Sequence, residues 1–590
     1  MRPTVEELEE ALEIAQPASD DLYLEDSRRL TGPGLLWDKP GAIAEVVATG
    51  YPLDLIEATW MRQARSMLDA VGWQAQACCA RAHEDGLNLA ISAPVDQLYS
   101  AIFVAQAAWH YTACEVLQQA GEPREAMIAD LLSVMHSEAN PALISLQQAA
   151  AEHGVDFISD DDELSLGHGC GSQTFSVNAL PGPGDIDWSR LHDVPVAMVT
   201  GTNGKSTCVR LACAVAAAAG KVAGLTSTDF VRVGEDILDR GDYSGPGGAR
   251  MLLRDPRLEL AFLEVARGGI LRRGLALHRA QAALITNVAA DHLGQYGINT
   301  VPALIEVKFS VFRTLAPGGV LVLNADDEGL VKQAELLSDE VAEQGKTVSW
   351  FSLDRANPRI VGALNDGQPC GWLDDGWLWY FDGKKQVRVI DVTEVPIAMG
   401  GAARYNVSNA LGVMCLAVAF ALPLESVQLG LASFYNNPAH NPGRCNEFTV
   451  NGARVFVDFA HNPHSITAVA QTMKALPARR RLLMLGHAGD RSDGDIRDLT
   501  SGAFELAPDH VIITEIPEYL RGREEGEISA IIKQQCLQLG LQEQQLSFTA
   551  DPLEGARCAL ELLQPDDLVL LLVHSQRDAI IELIEEKAAG

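Results

Sequence analysis

VAMVTGTNGKSTCVRLACAVAAAAG, residues 196–220, is the stretch whose reading decides the fold. The apolar run Val196, Ala197, Met198 and Val199 has the character of a buried strand. It enters a Gly/Asn turn at Gly201–Gly204, and an Ala-rich run of good helix formers follows as far as Gly220. Strand, turn and helix in that order make an anion-binding loop. The first N–H groups of a helix have no partner inside it and sit at the positive end of its dipole, so they hold a phosphate well. Thr202, Asn203 and Gly204 supply the backbone, Lys205 a charge that reaches the outer phosphates, and Ser206 or Thr207 a hydroxyl for Mg2+. The usual loop pattern has a Gly five residues before Gly204, where this chain has Val199. The plain alternative is a structural Gly turn between a strand and a helix.

The whole chain sets the bounds around that loop. Its 590 residues suit three or four domains, each with its own core. Apolar residues make up 47% and charged residues 21%, the balance of an ordinary globular protein. A formal net charge of −34 argues against a nucleic-acid surface, which depends on clustered Lys and Arg. One local basic loop in an acidic chain still suffices for ATP. The 11 cysteines are scattered, and the adjacent Cys78 and Cys79 are too close for ordinary metal-site spacing, so they read as reduced thiols. No apolar signal core follows the first residues, and no apolar run reaches the roughly 18 residues a membrane span needs. The expectation is a cytoplasmic protein with no nucleic-acid and no membrane partner.

Taken in order, residues 1–190 read as a mainly helical N-terminal domain. Apolar residues recur at helical spacing over 53–71, 95–120 and 126–135, with Trp60, Trp73, Trp109 and Tyr111 as core. The segment LSLGHGCGSQT at 164–174 reads as a hairpin, and PGPG at 181–184 as a linker. From 191 to 440 strands alternate with helices, the pattern of a mostly parallel sheet covered on both faces. Residues 258–264 form a strand delivering Glu264 to its C-terminal end, and 282–287 form another leading into AADHLG with His292. Ligands of open α/β sheets gather at such strand ends. A carboxylate and an imidazole there, beside a phosphate loop, suit a divalent ion bridging phosphate oxygens. Singly, Glu264 could be a cap or ion-pair partner and His292 a loop histidine. Residues 321–327 end in NADD, which also reads as a plain strand-to-turn signal. Residues 441–590 repeat the alternation as a small doubly wound C-terminal domain.

The motifs in order are TGTNGKST at 200, Glu264, TNVAADHLG at 286, Lys308, NADD at 324, YNVSNAL at 405, GR at 443 and DFAHNP at 458. Together they resemble the Mur ligase family. The narrower resemblance is to the Mur-like half of cyanophycin synthetases, carried by GDYSGPGGAR at 241–250, EVARGGILRRGL at 264–275, GDRSDGDI at 489–496 and RGREEGEI at 521–528. The first 180 residues resemble the N-terminal region of those enzymes. Their ATP-grasp ligase module is replaced here by a short linker.

The resemblance implies a P-loop central domain with a parallel-rich sheet, a Rossmann-like C-terminal domain, and the cofactors ATP and Mg2+. It puts Lys205 and the backbone of Thr202–Ser206 on the β- and γ-phosphates and Ser206 and Glu264 on one Mg2+. His292 takes a second Mg2+, together with Lys308 where that lysine is carbamylated. Asn287, Asn406, Arg444 and Asp458 match the family's nucleotide contacts, with Arg444 at the hinge to the last domain. His461 faces the nucleotide or the acceptor. The implied activity is an ADP-forming carboxylate–amine ligase, with Lys205, Glu264, His292 and Lys308 as its catalytic set. It joins an acidic amino acid or peptide to an amino acid or amine through an acyl phosphate. Arg250, Arg267 and Arg272, near the flexible SGPGG turn, suit an acidic acceptor through bidentate pairs. Two alternatives stand beside this reading: a peptidoglycan-type ligase on a UDP-linked peptide, and an inactive nucleotide-binding scaffold. A homo-oligomer and a separate ATP-grasp enzyme remain open as partners.

Overall fold

In the computed structural model, which describes residues 3–589, the run Val196–Thr200 is a strand buried at every position. A strand flanked on both sides by parallel neighbours and covered on both faces has no polar side to show, which is why its sequence is continuously apolar. Leu260–Glu264 lies parallel on one side, with Glu264 opposite Val199, and Ala280–Ile285 lies parallel on the other. Across this part of the sheet the order is Asp236–Arg240, Phe230–Val233, Ala223–Thr226, Leu260–Glu264, Val196–Thr200, Ala280–Ile285 and Leu315–Asn324. The first two strands form an antiparallel edge hairpin, and the rest of this run is parallel beyond it. The strand ends carrying Thr200, Glu264 and Ile285 therefore open at one edge, which positions the site.

The chain divides into two compact units. The first comprises residues 1–288, 292–350 and 412–423, and the second residues 289–291, 351–411 and 424–590. The first unit includes the N-terminal region, where helices carry more residues than strands. That region also holds an antiparallel sheet the sequence pattern did not announce, ordered Leu22–Leu30, Gly41–Ala48, Gly86–Ser92 and Cys78–His83. Helices Leu53–Ala70 and Leu98–Val116 pack against it around Trp60 and Trp109, both fully buried. The expected hairpin is present as Glu163–Leu166 paired with Gln173–Ser176.

The second unit contains a sheet ordered Asn446–Val450, Ala453–Asp458, Leu568–Leu572, Arg481–Leu485, His510–Thr514 and Leu546–Thr549. Only the first pair is antiparallel, and the apolar faces of both sides are buried, as in a doubly wound domain. The eleven cysteines are free thiols. No helix among the described residues is long and apolar enough to cross a membrane.

Candidate active site

The loop between Thr200 and Lys205 is shaped by two glycines. Gly201 has φ +146°, and a Cβ there would stand 1.9 Å from Thr286 Oγ1, so only glycine lets the two strand ends approach. Gly204 has φ +89° and caps the helix Lys205–Ala218, leaving the first N–H groups of that helix at the loop. The loop is then clasped from the neighbouring strand end. Asn287 accepts the Thr202 N–H through its carbonyl (2.8 Å) and the Asn203 N–H through Oδ1 (3.1 Å), and Nδ2 donates to Asn203 O (3.0 Å). Thr286 Oγ1 donates to the same Asn203 carbonyl at 2.6 Å. Asn287, expected at the nucleotide, holds the Gly201–Gly204 loop itself.

Two lysines dock on the loop's carbonyls. Lys205 Nζ donates to Thr202 O at 2.9 Å, and the buried Lys308 Nζ, from helix Val301–Arg313, donates to Gly201 O at 2.8 Å. The buried Ser206 hydroxyl stands 3.3 Å from Thr228 Oγ1, and Thr207 is buried beside it.

Glu264 is 2% exposed, and among the described residues neither carboxylate oxygen has a hydrogen-bond partner, while its backbone N–H is satisfied by Thr226 Oγ1 at 3.1 Å. It lines a narrow cleft with Ser244, Gly245, Pro246 and Gly269. A Cβ on Gly269 would lie 3.1 Å from Gly245 Cα, so the two helix starts meet there without room for side chains. Burying a carboxylate without partners is expensive, and such a group is compensated by ligation or pairing. A divalent ion fits this requirement.

His292 is exposed with φ +50°, and Arg267 fixes the turn around it, donating to His292 O and to Gln295 Oε1, each at 2.6 Å. Arg250 donates to Thr31 Oγ1 at 2.8 Å, and Arg272 is exposed. Two of the three expected acceptor arginines are therefore engaged with protein groups.

In the second unit, Asp458 is buried at the end of its strand and accepts from the N–H groups of Cys445 and Ala460, each at 2.7 Å. Burial raises its carboxyl to about 6, against the pull of the Arg444 guanidinium. Arg444 itself stacks 5.1 Å from the Phe459 ring. Burial lowers His461 to about 4, and its Nδ1 meets Phe459 O at 3.1 Å. His487 and His574 are pushed down by burial as well. Asn406 is buried, donating to Ile397 O at 2.9 Å.

Sequence reasoning missed Thr226, Thr228 and Thr286, whose hydroxyls brace the site. NADD, read both as a motif and as a strand-to-turn signal, received no role there; Asn324 Nδ2 donates to Thr286 O (3.0 Å) and Asp327 accepts the Val288 N–H (2.7 Å), steadying the clasp from behind. The signal available was their adjacency to motif residues.

Residues 199–417 match the Mur ligase middle domain, and residues 443–572 match the Mur ligase, glutamate ligase domain. The chain is similar to cyanophycin synthetase of Trichormus variabilis, 33% identical over 66% of this chain and 42% of the relative. It is also similar to UDP-N-acetylmuramyl-tripeptide synthetase of Leifsonia xyli subsp. xyli, 26% identical over 63% of this chain and 69% of the relative. The chain spans less than half the length of the cyanophycin synthetases it matches. Among solved structures, E. coli FolC in complex with ADP aligns at TM-score 0.48 and 18% identity, covering 67% of this chain and 90% of that one. MurF from Acinetobacter baumannii aligns at TM-score 0.46 and 18% identity, covering 66% and 77%.

Proposed function

Since residues 199–417 and 443–572 make this chain a member of the Mur ligase family, we propose that it is an ATP-dependent, ADP-forming amide ligase. It activates a carboxylate of an acidic amino acid or peptide and joins it to an amino acid or amine. The observation that carries the proposal is the buried, partnerless carboxylate of Glu264, one strand away from a phosphate-type loop.

In this reading the backbone of Thr202–Ser206 holds the β- and γ-phosphates at the start of the helix, the Thr202 and Asn203 amides exchanging their bonds to Asn287 for phosphate oxygens as Lys205 exchanges its bond to Thr202 O. Ser206, Glu264 and His292 are the residues that would hold Mg2+, which supplies charge neutralisation on the transferring group. The acceptor carboxylate oxygen attacks the γ-phosphorus, forming an O–P bond as the bond to ADP breaks. The amine nitrogen then attacks the acyl carbon, forming the C–N bond as the C–O bond to phosphate breaks, and its lost proton leaves with phosphate or to solvent. Thr207, Asn287, Asn406, Arg444, Asp458 and His461 enter on their sequence match. Arg272 holds the acceptor's acidic group with Arg250 and Arg267, which exchange their present bonds to Thr31 and Gln295. Carbamylation of Lys308 would break its bond to Gly201 O and turn a cation into a metal ligand.

ADP release, screened across pairs of amino acids and dipeptides, tests the proposal. Dependence on two small substrates is expected, with loss of at least a thousandfold in Lys205→Ala, in line with roughly 4 kcal/mol for a group that meets transferring charge. Release that needs a UDP-linked acceptor, or release that survives Lys205→Ala, overturns it.

A further inference from the structure

Before the strand that enters the loop, three segments of the first unit meet at a polar cluster around the buried His168. Asp156 follows the helix Pro141–His153, His168 sits in the GHGCG turn, and Asp193 leads into the strand Val196–Thr200. One donor atom from each of the three lies within 4.8 Å of the others. His168 Nε2 is 3.2 Å from Asp156 Oδ2 and 3.9 Å from Asp193 Oδ1. Donors 2.0–2.2 Å from a tetrahedral ion stand about 3.4 Å apart, which these spacings bracket.

Two further observations point to a ligand rather than to an ordinary ion-pair knot. The His168 side chain is 1% exposed; its Nε2 and Asp156 Oδ2 stand only in ion-pair range of each other, and among the described residues neither these two atoms nor Nδ1 has a well-aligned hydrogen-bond partner. The outer oxygens, by contrast, are fully used. Arg279 Nε donates to Asp156 Oδ1 at 2.6 Å, and Arg279 Nη2 to Asp193 Oδ2 at 2.9 Å. The Asp156 N–H also donates to both Asp193 oxygens, at 3.0 and 3.2 Å. The backbone is pinned in the same way: His168 N–H donates to His192 O, and Gly167 N–H to Asp156 O. Carboxylates oriented by outer partners, with their inner atoms turned on a buried imidazole, have the form of part of a metal's coordination sphere.

We propose that Asp156, His168 and Asp193 bind a structural first-row divalent ion, Zn2+ by choice of donors, that staples the N-terminal region to the strand feeding the phosphate loop. Two carboxylates and one imidazole suit Zn2+ better than Mg2+, which prefers oxygen alone. The competing arrangement is a protonated His168 completing a balanced cluster with Arg279, and it predicts no metal.

The test uses the full chain, stripped with EDTA, desalted and titrated with Zn2+ without nucleotide. About one Zn2+ per chain should survive a second desalting in the wild type and in Glu264→Gln, with a rise in thermal midpoint on loading. His168→Gln and Asp193→Asn should lose at least tenfold in retained zinc and show no rise. X-ray absorption at the zinc edge of the loaded wild type should give oxygen and nitrogen neighbours, one imidazole and no sulfur. Retention of no zinc by the wild type, equal retention in the variants, or thiolate scattering would each overturn the assignment.

Discussion

Replacing Glu264 with Met should stabilise the protein without metal while abolishing turnover. The carboxylate is 2% exposed and both oxygens lack hydrogen-bond partners. A buried polar group left unsatisfied costs about 1–3 kcal/mol, and a charged one lies at the upper end. Met matches the length of Glu and places apolar atoms against the cleft beside Leu263 and Val265, so about 2 kcal/mol should be recovered. For a unit of this size that is about 3 °C in melting temperature. Glu264→Gln, which removes the charge but keeps two unsatisfied atoms, should recover less. The assay is thermal unfolding in EDTA, repeated with MgATP. The wild type should gain about 2.7 kcal/mol at a hundredfold excess over its dissociation constant, and the Met variant nothing, so the order of stability inverts on adding nucleotide. A lower melting temperature for Glu264→Met in EDTA, or Mg2+-dependent ADP release by it, would refute the reasoning.

Gly201→Ala must relieve a 1.9 Å approach to Thr286 Oγ1 at φ +146°, costing about 2–5 kcal/mol of strain and overpacking; nucleotide affinity, read by fluorescent ADP titration, should fall with the melting temperature. Acidification from pH 7 to 5 should destabilise the second unit. His461, held near 4 by burial, takes up a proton on unfolding in that window, a loss of about 2 kcal/mol. Asp458, raised to about 6, has the opposite sign: it binds its proton in the folded state first, so it adds stability as pH falls from 7 to 5, by about 1 kcal/mol. Asp458→Asn should therefore steepen the acid loss in a denaturation series, and His461→Gln should flatten it. Lys308→Ala should lose ADP release, and recovery with added short carboxylic acids would mark the residue as a carbamate in the active enzyme.

The loop was legible because its signal is local: an apolar run, two glycines with obligatory backbone roles, then a helix. The same holds for the strands ending at Glu264 and Ile285, each fully buried at its C-terminal end. The N-terminal sheet was not legible. Gly41–Ala48 and Gly86–Ser92 are buried on nearly every residue, so no period-two alternation survives, and Leu22–Leu30 places charges along an outer strand. Arg28 there pairs with the buried Glu45 on the next strand, a contact no spacing rule suggests. The bracing hydroxyls were illegible for a related reason: Thr226 serves Glu264 from 38 residues away and Thr286 serves Asn203 from 83, so the pairing exists only once the strands are in register.

That register explains why the charged groups of the first unit are arranged as they are. Lys205 and Lys308 end on carbonyls of the loop, at Thr202 and Gly201, and Glu264 ends on nothing. Joining Glu264 to Lys205 would satisfy both charges at lower cost, yet among the described residues the Lys205 ammonium bonds Thr202 O and the carboxylate meets no hydrogen-bond donor. Leaving the carboxylate without a donor raises the energy of the resting protein, which folding alone does not reward. The arrangement makes sense if one bound species meets both: phosphate oxygens drawing Lys205 from Thr202 O, and a divalent ion on the carboxylate. On that argument the double change Lys205→Met with Glu264→Met should melt higher in EDTA than the wild type, with effects that add, since the two side chains do not bond to each other. Marked non-additivity would mean that the lysine and the glutamate already neutralise one another, and the case for a metal nucleotide between them would fall.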